Sequence, residues 1–235
     1  MVAVAGEDPI AVLLATKREH ETLVWRVGVH PDHLRRGHAL HLLTSLSSKL
    51  AILGPPRMLA EVPESLTGAC ALLEACGWRR EVEYTDFVLR DSSLGAKSVE
   101  PSDLVIPITL DELIANEAFD AAARRSWARS PATLVNRKES IRGLAVASDV
   151  RIEAYLLFEE PPSGGERRLL ALGCADESRR EMWLGLLLRQ VLSADPRPAL
   201  FERVHPDEVS FELLRSCGFE PSARTLGYAT VPAPA

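Results

Sequence analysis

ETLVWRVGVHPDHLRRGHALHLLTSL, residues 21–46, holds a strand, a turn and a helix start in one run. Leu23 to Val29 is apolar and branched, the composition of a strand. His30-Pro31-Asp32 ends it. Arg35-Arg36-Gly37 then opens directly into an amphipathic helix. The first amides of a helix have no partner within it, and the helix dipole adds partial positive charge at that end. Two guanidinium groups add full charges. A phosphate or pyrophosphate is the natural occupant of such a corner.

Working outward, Val2 to Ala5 and Ile10 to Ala15 read as a hairpin around Gly6-Glu7-Asp8-Pro9. The helix after Gly37 places Ala39, Leu42, Leu43, Leu46, Leu50 and Leu53 on one stripe, and Gly54-Pro55-Pro56 stops it. Met58 to Val62 is a short strand. Thr67 to Cys76 is a helix closed by Gly77 as a left-handed cap, and Glu83 to Leu89 returns to strand. Residues 91–103, DSSLGAKSVEPSD, have linker composition.

These residues resemble the GNAT superfamily of acyl-CoA N-acyltransferases. Val29-His30-Pro31 is similar to the family's strand end, and Gly37 and Ala39 to its two small loop positions. Leu34 departs from it where a Gln or Arg is usual. The resemblance implies an α/β (α+β) fold of mixed, mostly antiparallel sheets flanked by helices. It implies acetyl-CoA as co-substrate, its pyrophosphate on the amides of Arg35, Arg36, Gly37, His38, Ala39 and Leu40. The pantetheine arm would pair with the strand edge Val27-Gly28-Val29. The acceptor would be an amine of a small molecule or peptide.

The second half repeats the first. Ala145-Val146-Ala147 followed by Ile152 to Leu157 parallels Ala3-Val4-Ala5 followed by Ile10 to Leu14. Glu166 to Cys174 parallels Glu21 to Val29. Leu213 to Phe219 parallels Leu72 to Trp78. Two GNAT-like lobes are therefore expected, residues 1–90 and 104–235. Ahead of its hairpin the second has a strand, Leu104 to Ile108, and two helices, Asp111 to Arg129 (capped by Asp111) and Ala132 to Gly143. The first copy has no such stretch. In the second, Ala175 to Met182 carries three acids and no glycine, so that copy is expected to have lost its cofactor loop. An upstream segment, the second copy or another chain, as in a homodimer, remain alternative ways to complete the first copy.

Glu21 is the candidate catalytic base, by its place at the start of the strand; a solvated strand-end acid is the plainer role for it. Direct acyl transfer needs a neutral amine and hence a proton acceptor. The family's usual tyrosine acid is replaced by Leu73 and Leu214, and Leu66 stands where an Asn is common. A catalytically inactive tandem module that binds CoA or a partner is therefore the alternative to an N-acetyltransferase, and a structural dimer the third reading. His38 and His41 have helix spacing but no third ligand nearby, so no metal is expected. The net charge of −6 over 235 residues argues against general nucleic-acid binding. No apolar run reaches membrane-spanning length. Four cysteines without ligand spacing, and no secretory signal pattern, suit reduced thiols in the cytoplasm.

Overall fold

The computed structural model describes residues 1–90, 104–119, 124–160, 165–194 and 197–230. It divides into two compact units. The first comprises residues 1–83 and the C-terminal stretch from Arg224, and the second comprises Tyr84–Ala223. The expected 91–103 linker lies outside the described residues.

The first unit is a sheet in the order β1 (Val2–Ala5), β2 (Asp8–Lys17), β3 (Thr22–Val29), β4 (Met58–Pro63) and, from Arg224 on, β11 (Glu220–Ala229). All neighbours are antiparallel except β3 and β4. Helices α1 (His38–Leu53) and α2 (Thr67–Ala75) cover one face. Leu42, Leu43, Leu50 and Leu73 pack there against Leu13, Val24, Met58, Ala60, Leu226 and Tyr228. Leu53, expected on the α1 stripe, is exposed in the last turn. Gly77 has φ +78°, the left-handed cap that lets α2 turn into Trp78.

The second unit has the same plan. Its order is β6 (Val105–Ile108), β7 (Ile141–Ala147), β8 (Ile152–Glu159), β9 (Arg167–Cys174), β10 (Ala199–Val204) and, from Tyr84 on, β5 (Arg79–Leu89). Only β9 and β10 are parallel. Helices α5 (Arg180–Ala194) and α6 (Phe211–Ser216) cover one face. The short helices α3 (Leu110–Ala115) and α4 (Pro131–Val135) cover the other. Leu110, Leu113 and Leu134 pack there on Tyr155, Leu157 and Leu170.

The last strand of each unit comes from the other half of the sequence. Thr225–Ala229 of β11 pair with β4, and Thr85 and Phe87–Leu89 of β5 pair with β10. The sequence bounds 1–90 and 104–235 assign these strands the other way. Nothing in either strand's own pattern tells which sheet it joins.

Four further expectations need correction. The helix over residues 111–129 stops at Ala115, where Asn116 caps it and Glu117 takes φ +54°. Its N-cap is Thr109, not Asp111: Thr109 and Glu112 form a reciprocal capping box, while Asp111 pairs with Lys138. The helix over 132–143 ends at Val135, and Ile141–Gly143 already belong to β7. Finally, the hairpin repeat is shifted by one residue. Val2 faces Val12 as Ala145 faces Tyr155, so Val2, not Ala3, is the counterpart of Ala145. A one-residue slip moves each side chain to the opposite face.

Leu226→Ala is expected to destabilise the first unit by about 2–4 kcal/mol, the range for a buried Leu truncation. Amide exchange in β4 should quicken on substitution at this distant point of the sequence; unchanged protection at Ala60 and Val62 would contradict the assignment of β11 to this sheet.

Candidate functional site

β3 and β4 pair at Thr22 with Met58 and at Leu23 with Leu59, then separate. The separation begins beside a bulge. Leu14 faces Arg26 and Ala15 faces Val24, leaving Trp25 without a register partner on β2. The bulge reverses the edge sense of β3. Thr22 donates its N–H toward β4, to the Arg57 carbonyl at 3.0 Å; His30 donates toward β2, to the Ile10 carbonyl at 2.8 Å. In an unbroken strand two even-numbered residues would point the same way. Past the bulge, the odd-numbered Val27 and Val29 direct their N–H groups to the open edge.

That edge borders a cavity of about 500 Å³, with Trp25 to Gly28 on one wall and Ala60 to Pro63 on the other. Leu66, at the N-cap of α2, and Ala69, Leu72 and Leu73 within it also line the cavity. A Cβ at Gly28 would meet nothing closer than Val12 Cγ1 at 3.6 Å, so this glycine leaves space beside the strand.

β3 leads into a single 3₁₀ turn, Pro31–His33, and then into the start of α1. Arg35 and Gly37 take positive φ, +61° and +83°. Gly37 caps α1 with no side-chain hydrogen bond. Among the described residues, the amides of Arg35, Arg36, Gly37, His38, Ala39 and Leu40 find no backbone acceptor. Both arginines are exposed, and the His33 and His38 rings meet edge-on at 6.0 Å between centroids. The sequence-selected strand edge and loop thus lie along one continuous stretch of chain.

Glu21 is half-buried, one residue ahead of β3, and does not line the cavity. The carboxylate on the cavity wall is Glu61 of β4. Arg18 lies near both acids: burial pulls its guanidinium below the usual range, and the charges of Glu21 and Glu61 oppose that. Sequence reasoning missed Glu61, although a lone acid in the apolar run Met58-Leu59-Ala60-Glu61-Val62 was a usable signal. It also missed Tyr228, which arrives on β11 and donates to Glu74 at 3.0 Å. Burial, with hydrogen bonds to Cys70 and Glu74, raises the Tyr228 phenol well above its ordinary range. Cys76 and Cys217 end their helices against the core, and burial pushes both thiols up.

Residues 1–78 match the model of the Acetyltransferase (GNAT) family. The whole fold is similar to a GCN5-related N-acetyltransferase from Sphaerobacter thermophilus, with TM-score 0.64 at 17% identity, over 96% of this chain and 78% of that one. It is equally similar to a tandem GNAT protein from the clavulanic acid biosynthesis pathway, with TM-score 0.63 at 17% identity, over 100% of this chain and 82% of that one. The chain has the GNAT fold. A GCN5-related N-acetyltransferase from Anabaena variabilis gives TM-score 0.63 at 11% identity, over 97% of this chain and 61% of that one. No curated protein matches the sequence.

The two GNAT-like units differ on one face. In the second, the face bearing Tyr155, Leu157 and Leu170 is covered by α3 and α4. In the first, the registers make Val12, Leu14 and Trp25 their counterparts. These residues are exposed: Trp25 at 66%, against 3% for Leu170. No described helix of the chain is long and apolar enough to cross a membrane.

Trp25 and Gly28 give direct tests of the cavity. A ligand entering it is expected to change the fluorescence of Trp25, and Trp25→Phe should abolish that change. Gly28→Ala should fold normally, since its Cβ meets only an ordinary contact, yet weaken ligand binding about tenfold by narrowing the groove; a tenfold loss is about 1.4 kcal/mol. An unaltered Kd for Gly28→Ala would remove Gly28 from the binding surface.

Proposed function

We propose that the first unit binds acyl-CoA in the groove between β3 and β4 and transfers the acyl group, an acetyl in the simplest case, to an amine. The observation that carries this reading is the continuity of hydrogen-bond donors. Open-edge amides at Val27 and Val29 run into six amides at the start of α1 that have no backbone acceptor among the described residues, and Arg35 and Arg36 stand among them. An extended arm that ends in a diphosphate matches that sequence of donors: single amides suit an amide-bearing chain, and a helix start with two arginines suits the diphosphate.

The thioester supplies an activated acyl carbon. The residues around it must hold its carbonyl, accept the amine proton and keep the geometry. Open-edge N–H groups near the Trp25 bulge suit a carbonyl whose oxygen gains charge as the amine attacks. Glu61 is the carboxylate we assign to proton removal, because it lines the groove. Glu21, farther back and beside Arg18, tunes the local charge. Leu73, on the groove wall, has no proton to give, so the departing thiolate takes one from solvent.

Calorimetry with acetyl-CoA tests the binding step. Wild-type protein should bind, and Gly37→Glu should weaken binding at least tenfold. The φ of +83° is costly for any residue with a Cβ, and the new acid repels a phosphate. No heat at millimolar ligand would end the proposal. Thiol release with an amine panel tests the chemistry: Glu61→Gln should lower kcat by roughly 10²–10³ with the acetyl-CoA Kd unchanged, in the range for loss of a general base. Binding without turnover on any amine would favour a CoA-binding module, which the leucine at position 73 also suits.

A further inference from the structure

The registers place the second unit's strands residue by residue on the first. Ala154 faces Cys174 as Ala11 faces Val29, and Leu157 faces Ala171 as Leu14 faces Arg26. Leu170 is skipped as Trp25 is skipped. Arg167 donates to the Pro198 carbonyl as Thr22 donates to that of Arg57. Leu172 is therefore the counterpart of Val27, with its N–H turned toward the gap where β9 leaves β10.

In this unit the gap is occupied by the protein itself. Glu208, fully buried, stands just past β10, and its Oε1 accepts the Leu172 N–H at 3.3 Å. Arg125, also buried, donates through Nη2 to the Leu172 carbonyl at 3.0 Å and to the Tyr155 hydroxyl at 2.9 Å. Its Nε donates to Glu208 Oε1 at 3.2 Å. Arg129 closes the other side, with Nη2 on Glu208 Oε2 and its guanidinium 4.5 Å from the centroid of Phe201. Tyr155 lies over Gly173 so closely that a Cβ there would stand 2.3 Å from its ring. Farther along, Asp176 accepts from the Ser178 N–H at 2.9 Å, so a carboxylate already sits on the turn that precedes α5.

We infer that Arg125 and Glu208 form an internal ligand of the second unit, filling the strand-edge position that the first unit offers to the pantetheine arm. A pantetheine amide presents one carbonyl acceptor and one N–H donor to a strand. The pair presents the same two functions to Leu172, an acceptor from Glu208 and a donor from Arg125. Among the described residues, none of the first unit stands where Arg125 and Arg129 stand in the second, and its groove is open. Burial also keeps the pair from exchanging with a solvent-borne ligand: removing either charge from its partner in a dry interior is costly. The comparison with pantetheine rests on the reading of the first unit given above; the occupancy of the Leu172 edge does not.

Amide exchange measured by nuclear magnetic resonance on the full chain separates the two. Without ligand, the Leu172 amide should be protected and the Val27 amide should exchange freely. Acetyl-CoA should protect Val27 and shift Arg35 to Leu40, at one equivalent per chain, leaving Leu172 and Gly173 unmoved. The double variant Arg125→Met with Glu208→Leu replaces the ion pair by apolar groups of similar size, a change such sites tolerate. It should speed Leu172 exchange at least tenfold while Leu156, in the core beside it, stays protected. An unchanged Leu172 rate in that variant, or a second equivalent of acetyl-CoA in the wild type, overturns the inference. Should the wild type bind no acetyl-CoA at all, the function proposed for the first unit falls, and the Leu172 rate still decides this one.

Discussion

The parting of two parallel strands after one short rung of pairing is the constraint on which the first unit depends. Beyond Leu23 and Leu59, β3 and β4 no longer satisfy each other's backbone groups. A buried strand edge left so would be costly, because each N–H and C=O needs a partner. Here the edge faces a cavity, where water or an extended ligand can complete it. The bulge at Trp25 sets which residues face that cavity. α2 and Tyr228 support the wall across from β3, and α1 starts where the edge runs out.

The same parting occurs between β9 and β10, and it has the opposite outcome. There the chain brings its own carboxylate and guanidinium to the exposed edge. The two units show one backbone geometry with two ways of meeting the same hydrogen-bonding demand. What differs is the presence of an Arg-bearing segment ahead of the hairpin and an acid at position 208. Burial pulls the Arg129 guanidinium down while Glu208 opposes it, as a paired charge in a dry site should behave.

Local signals carried much of this architecture. The glycine at 37, the proline at 31 and the leucine stripe after them mark a strand, turn and helix start, because each acts within a few residues. Gly77 and Gly218, with φ of +78° and +89°, mark two helix ends in the same way. The helices expected over 111–129 and 132–143 end early, since apolar spacing there serves single turns packed on a sheet rather than long helices. Long-range choices left no trace in sequence. The destination of β5 and β11, the bulge opposite Leu14 and the meeting of Arg125 with Glu208 depend on groups far apart along the chain. For the candidate site, loop and strand edge were legible, whereas Glu61 emerged from the wall it stands on.

The placement of β11 has a consequence for biogenesis. The strand that completes the first sheet beside β4 is made long after β4 itself. Until residues 225–229 emerge, the nascent N-terminal half must keep the β4 edge uncovered while some 140 further residues are made, a count that follows from the interval between Glu83 and Arg224. Assembly of the groove is thus an event of high contact order, slow compared with helix formation and exposed to mispairing in the interval. Whatever shields that open edge during elongation favours the correct closing of this sheet.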